Sequence, residues 1–267
     1  MNNHRFTQIG FSQRVQLEWL ERTANLVLAG NEKAAINASL QELLQDKVSV
    51  GGQAVRGNRE KIITILLKTW LTVPADLCQL RDDGLRMLRE LPPKDHLAVH
   101  WGMVQAAYPF WSCVAAQTGK LLRLQGTVAA AQVQRRVREH YGERETVARA
   151  ARRVLRSFID WEVLTESAAK GVYSPASPLV IGKPQLTSWL IEAQLHADPS
   201  GRAPFNSLTD AHCLFPFRFE QVGCRQVISI SDRLELLPDG SSNEIIGLRA
   251  LSASQGKHLG DTSGQAT

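Results

Sequence analysis

Between residues 11 and 160, apolar side chains recur at three- and four-residue intervals, the spacing that lines one face of an α-helix. Val15, Trp19, Leu20, Ala24, Val27 and Leu28 predict a first helix over 11–29, and Gly30 suits the left-handed turn that ends many helices. Asn31 is expected to cap a second helix with Ala34, Ala35, Ala38, Leu40, Leu43 and Leu44 as its apolar content. The turn-rich stretch 48–57 ends it. Asn58 opens a third helix through Ile62, Ile63, Leu66, Leu67 and Trp70, with Pro74 as its stop. Helical spacing continues over 77–91 and breaks at Pro92-Pro93. It resumes through Leu97, Val99, Trp101, Met103 and Val104, and Pro109 interrupts it again. Residues 110–124 are apolar enough for a central, mostly buried helix.

The texture changes after Gly171. Pro175, Pro178 and Pro184 lie close together, followed by a short helix over 184–196 with Leu186, Trp189, Leu190 and Ala193. From residue 214 the pattern turns to strands, over 214–219, 227–230, 233–237 and 244–251. The last two flank the turn-rich residues 238–243, a hairpin signal. Phe215, Phe217, Ile228, Ile230, Leu234 and Leu236 alternate with polar positions and are expected to pack a small sheet against the helical body. Residues 252–267, rich in Ser, Gly, Gln and Thr, read as a disordered tail. Most strand is thus expected in 214–251.

Residues 127–175 carry the most specific pattern. A helix over 127–141, with Thr127 as its cap and Ala130, Val133, Val137 and Tyr141 on one side, is followed by a turn at Gly142-Glu143. A second helix covers 144–158. Residues 161–164 and 171–173 then suit two short antiparallel strands around the polar loop 165–170. Helix, turn, helix and β-ribbon in that order predict a winged helix-turn-helix within 105–178. The fold class expected is therefore mainly α: a helical bundle with a winged helix-turn-helix, plus a small C-terminal β/hairpin region. The expected organisation is a three-helix unit over 1–74, a helical body with the winged segment over 75–178, a small α+β region over 179–251, and the tail.

Composition narrows the class. The 267 residues are 43% hydrophobic and 21% charged, ordinary globular usage that excludes a disordered or fibrous chain. The longest strictly apolar runs are a few residues, far short of the roughly 20 a membrane span needs. The first residues lack a signal peptide's apolar stretch, and a cytoplasmic location is expected. Cys78, Cys113, Cys213 and Cys224 form no Cys-x-x-Cys pair and are expected to be reduced and structural. The Cys213–Cys224 spacing is too wide for the common zinc knuckles, with only His212 beside it, and His96 with His100 four residues on has no third ligand, so no metal is expected. There is no Gly-rich phosphate loop, Ser elbow or dense carboxylate cluster. Neither catalysis, a cofactor nor a small-molecule substrate is expected.

The net charge of +5 is unevenly placed. Residues 120–170 hold 11 Lys and Arg against 6 Asp and Glu, whereas 1–119 hold 13 against 11 and 171–267 hold 7 against 9. A concentrated basic stretch is a footprint for a polyanion, most often nucleic acid. At 100° per residue, Val147, Ala151, Val154, Leu155 and Phe158 share one face of the second helix, and Arg149, Arg152, Arg153 and Arg156 share the opposite one. Such a stripe repels itself, and phosphate would relieve it. The candidate DNA-binding residues are Arg135, Arg136, Arg138, Arg144, Arg149, Arg152, Arg153, Arg156 and Lys170. Truncating the four stripe arginines is expected to leave the fold intact. The plain alternative is a solvated helix face, with Glu139, Glu143 and Glu145 neutralising part of the patch. The basic stretch 55–61 is a weaker phosphate candidate than a surface loop.

The order of features over 15–180 resembles the BrxA family, a component of bacterial BREX phage-defence systems. The resembling elements are Val27-Leu28-Ala29-Gly30-Asn31-Glu32 at the end of one helix, Leu43-Leu44-Gln45-Asp46 at the end of the next, and Arg59-Glu60-Lys61 opening a third. Ala106-Ala107-Tyr108-Pro109-Phe110 in the middle and Leu155-Arg156-Ser157-Phe158 with Trp161-Glu162-Val163-Leu164 complete the layout. The resemblance implies a helical body with winged-helix character that binds double-stranded DNA without enzymatic activity, alongside other defence-system proteins. Residues 197–267 depart from it by being longer and strand-rich. Two rival functions remain open: a helical assembly subunit whose Arg face meets an acidic protein, and a transcriptional regulator acting as a dimer on a palindrome.

Overall fold

The computed structural model describes residues 4–48, 57–238 and 244–249. The described chain is mainly helical, with short strands in three small sheets. The helices of the first half are α1 (His4–Thr7), α2 (Leu17–Leu28), α3 (Lys33–Leu43), α4 (Asn58–Trp70), α5 (Cys78–Glu90), α6 (Pro93–Ala107) and α7 (Pro109–Gln125). Pro93 and Pro109 each begin a helix, where a missing N–H costs nothing. Then come β1 (Val128–Ala129), α8 (Ala130–Tyr141), α9 (Glu145–Asp160), β2 (Leu164–Glu166), β3 (Val172–Pro175) and β4 (Leu179–Ile181). The last third holds α10 (Pro184–Ala197), β5 (Arg202–Pro204), α11 (Phe205–Thr209), β6 (Phe217–Phe219), α12 (Cys224–Ile230), β7 (Leu234–Leu237) and β8 (Ile245–Leu248). No single helix among the described residues is long and apolar enough to cross a membrane.

Helix α6 runs through the middle of the body. Every residue from Ala98 to Ala106 is buried, so this stretch has no solvent face. Trp101 on it packs against Trp111 of α7, centroids 4.4 Å apart, and stacks on Phe158 of α9 at 5.2 Å. One continuous core extends from Phe11 to Phe217 and includes side chains of α2–α10. Helix α10 crosses α6 where Gly102 leaves room: a Cβ there would lie 2.4 Å from the Trp189 ring. A second, smaller core of Ile191, Leu195, Phe205, Leu208, Cys224, Val227, Leu234 and Ile246 underlies the C-terminal elements. These elements are tied back by Arg233. It binds the buried carboxylate of Glu192 at 2.6 Å and also reaches Asp83 on α5. Burial alone would raise the Glu192 pKa, but nearby His196 and the hydrogen-bonded Arg233 hold it below the ordinary carboxylate range.

Several local expectations are corrected. Residues 11–16 are not the first turns of a helix; α2 begins at Leu17. Phe11 and Val15 are fully buried in an irregular segment whose hydrogen-bond partners include Ser157 of α9 and Trp161 just beyond it. Asn31 does not cap α3. Its side chain turns back to the Leu26 carbonyl at the end of α2, and Gly30 takes the expected left-handed conformation. Residues 227–230 lie in a helix, α12, since Cys224 and Val227 face the smaller core at helical spacing. Among the described residues, fewer than half of those in strands fall in 214–251. The hairpin is present: β7 and β8 pair antiparallel, Leu234 opposite Leu248 and Leu237 opposite Ile245, with β5 on the far side of β8. Phe217 and Leu234 are buried as expected and Phe215 and Ile228 half-buried, but Ile230 and Leu236 are exposed. Residues 49–56 and the tail 252–267 lie outside the described residues.

His96 and His100 have a structural partner. Both point at Glu21 of α2, with His96 Nδ1 at 3.1 Å and His100 Nε2 at 2.7 Å. His100 is fully buried, edge-on to Trp70, and that burial lowers its pKa. The His100 hydrogen bond, with the charges of both histidines, holds the Glu21 carboxyl at about 2. A carboxyl depressed on folding stabilises above its ordinary value near 4.5, and that contribution is lost as the pH falls towards 2. Glu21→Gln should cost about 1–3 kcal/mol at neutral pH. Urea unfolding at several pH values should show the gap to the parent closing between those limits. A gap independent of pH would contradict this account. At Gly119 a Cβ would lie 2.0 Å from the His212 carbonyl oxygen. Gly119→Ala should therefore destabilise by about 1–3 kcal/mol in the same assay.

Candidate nucleic-acid interface

The basic stretch folds as an unbroken run of short elements after α7. Gly126, with φ of +74°, ends α7 by donating its N–H to Leu122. The strand β1 follows, so α8 starts at Ala130 and Thr127 is not its cap. That strand pairs antiparallel with β3, placing Val128 opposite Tyr173 and Ala129 opposite Val172. Gly142 at φ +92° ends α8, and α9 begins three residues later. β2 and β3 then form an antiparallel hairpin, Leu164 opposite Pro175 and Glu166 opposite Tyr173, but the first strand lies later than the expected 161–164 and takes in Thr165 and Glu166 of the expected loop. The sheet order is β1-β3-β2. Gly171 at φ +77° closes the hairpin loop, which carries Lys170.

Helix α9 separates its residue types sharply. Val147, Ala148, Ala150, Ala151, Val154, Leu155, Ser157 and Phe158 are buried. Arg149, Arg152 and Arg156 are exposed, with Glu145 and Thr146 in the first turn. The inner alanines let the helix backbone lie close to the body, and Phe158 anchors it among Trp101, Trp111 and Phe215.

The nine candidate residues are in different situations. Arg149, Arg152 and Arg135 are exposed, with no hydrogen-bond or ion-pair partner among the described residues, and Lys170 is exposed at the hairpin tip. Arg156 pairs with Glu166 of β2 at 2.6 Å. Arg138 pairs with Glu143 at 3.2 Å, and Arg144 donates to the Tyr141 carbonyl at 3.0 Å. Arg136 is half-buried, and its Nε is buried without a partner among the described residues. Arg153 is half-buried and donates to the Ser12 carbonyl at 2.6 Å; burial, and then the charge of Arg149, lowers its pKa. Arg153 therefore differs from the other stripe arginines: it binds a backbone carbonyl and ties α9 to another part of the chain.

That part, residues 11–16, is what reading the sequence missed. Besides Ser12, Val15 donates its N–H to Ser157 Oγ at 2.9 Å and accepts from Trp161 Nε1 at 2.9 Å. Arg14 forms an ion pair with Asp160 at the end of α9. The irregular segment therefore straps the C-terminal half of α9 to the body. Its apolar residues fit a helical pattern as well as a buried irregular one, and partners over 140 residues away leave no local trace. Strand β1, two residues long, lies likewise below any periodicity signal.

No family model, curated protein or solved structure matches the chain.

The division among the arginines has a stability signature. Arg153→Ala should lower unfolding free energy by about 1–2 kcal/mol, because it removes a charge-assisted hydrogen bond from a part-buried carbonyl. Arg149→Ala and Arg152→Ala should stay within about 0.5 kcal/mol of the parent. Denaturant melts of the three variants check this, and equal effects at all three positions would show that the strap does not depend on Arg153.

Proposed function

We propose that this chain is a non-enzymatic accessory protein that binds double-stranded DNA through residues 109–175, acting as a winged helix-turn-helix. One observation carries the reading. Helix α7, strand β1, helices α8 and α9 and hairpin β2–β3 follow in the order of that motif, with β3 central in the sheet. The outward face of α9 bears arginines that are unpaired among the described residues. In this arrangement α9 is the helix that enters the major groove, and the hairpin, with Lys170, lies beside the neighbouring backbone.

The mechanism is non-covalent. Arg149 and Arg152 are held as close like charges in water, a cost that a polyanion removes. Each phosphate neutralised releases counterions, so binding weakens steeply with salt. Arg153 acts within the protein, as the strap's anchor, rather than on DNA. The layout similarity to the BrxA family supports a place beside other proteins of a phage-defence system, with no membrane and no small-molecule substrate.

The test is fluorescence anisotropy of a labelled duplex across salt concentrations, with circular dichroism to confirm folding. Replacing Arg135, Arg149 and Arg152 together by Ala spares the strap. It should weaken binding strongly and flatten the log–log salt slope by roughly 0.9 for each phosphate that is no longer neutralised. Unrelated duplex should compete. A folded variant with parental affinity and slope would exclude α9 as the DNA-binding helix. A parent that holds no duplex would favour an assembly subunit whose Arg face meets an acidic protein.

A further inference from the structure

The outward face of α9 carries six polar residues: Glu145, Thr146, Arg149, Arg152, Arg153 and Arg156. Two of the arginines are committed within the chain, Arg153 to the Ser12 carbonyl and Arg156 to Glu166 of the hairpin. One ties the helix to the strap and the other to the hairpin. The buried apolar face fixes the helix's rotation and these contacts add to it, so the direction in which the remaining side chains project is set before any ligand arrives. What projects is Arg149 and Arg152, both without a partner among the described residues. They are one turn apart, about 4.5 Å along the axis, slightly more than the roughly 3.4 Å between neighbouring base pairs.

Whether such a pair meets phosphates or bases is decided by its neighbours. Glu145 is exposed four residues before Arg149, on the same stripe. A carboxylate there repels a phosphate backbone, so the stripe is poorly made for tracking phosphates alone. The same carboxylate can accept from the N4 amino group of cytosine in the major groove. Cations suited to the backbone lie off the stripe, with Lys170 on the hairpin and Arg135 on α8. The guanidinium fork matches the O6 and N7 acceptors of guanine, and no other base edge offers two acceptors to it in that groove.

We infer that Arg149 and Arg152 are specificity-determining residues that read guanines at two neighbouring positions of a duplex. This deepens the DNA-binding reading above and rests on it.

The full-length protein is incubated with a pool of randomised duplexes, and the retained fraction is sequenced. Anisotropy is then measured on the selected duplex and on versions in which each G·C pair is replaced by A·T. The proteins compared are the parent, Arg149→Ala, Arg152→Ala and the corresponding Lys variants. Guanine should be enriched at two neighbouring positions. Each Ala variant should bind the selected duplex about ten- to a hundredfold more weakly. It should change little on the duplex already lacking its own guanine, and keep its preference at the other position. Lys should restore general affinity more than preference. If Ala variants weaken all duplexes alike, or no guanine is enriched, Arg149 and Arg152 bind the backbone and this inference fails while duplex binding stands. If the parent retains no duplex, both readings fall.

Discussion

The packing around Trp101 is the constraint from which the rest of the described structure follows. Its ring meets Trp111, Phe158, Trp161, Phe215 and Phe217, with centroids between 4.4 and 5.9 Å away. Its indole N–H is satisfied by the Cys213 carbonyl at 3.0 Å. Rings of this size bury large areas and fix mutual angles, so α6, α7, α9 and residues 213–217 cannot move independently. Burial at this junction also pushes the Cys213 thiol up to about 12, which keeps it protonated at neutral pH.

The electrostatic character of the surface is a consequence of that packing. Phe158 and Trp161 set how the C-terminal end of α9 sits on the body, and the strap at residues 11–16 adds hydrogen bonds along it. With the inner face fixed by apolar side chains, the arginines must point outward. The body then draws on some of them: Ser12 takes Arg153 and Glu166 takes Arg156. A uniform basic stripe in the sequence becomes a graded surface. Arg149 and Arg152, free among the described residues, are flanked by two cations that hold their own helix in place.

The C-terminal third follows the same logic with a different interaction. Its small core is joined to α10, and Arg233 links Glu192 to Asp83 across the boundary between the two cores. A buried carboxylate such as Glu192 is costly without a charged partner. That makes the link between the last strands and α5 a requirement of burial rather than an ornament of the surface.

Much of this was legible along the chain. Helices α4 to α7, α9 and α10 follow from apolar spacing and from prolines that stop or start a helix, because both signals act within a few residues. The arginine stripe and the helix, turn, helix and hairpin order of 130–175 were legible for the same reason. Residues 11–16, β1, α12 and the role of Glu21 between His96 and His100 were not. In each, a local pattern fits two conformations or two chemistries, and the choice is made by partners far along the chain: Ser157 and Trp161 for the strap, Val172 and Tyr173 for β1. The sequence by itself determined which helix carries the cations and which of its faces is buried, since periodicity is a property of neighbours. Only the tertiary structure decided which cations remain free, because a charge is claimed by whatever acceptor the fold brings within hydrogen-bond reach.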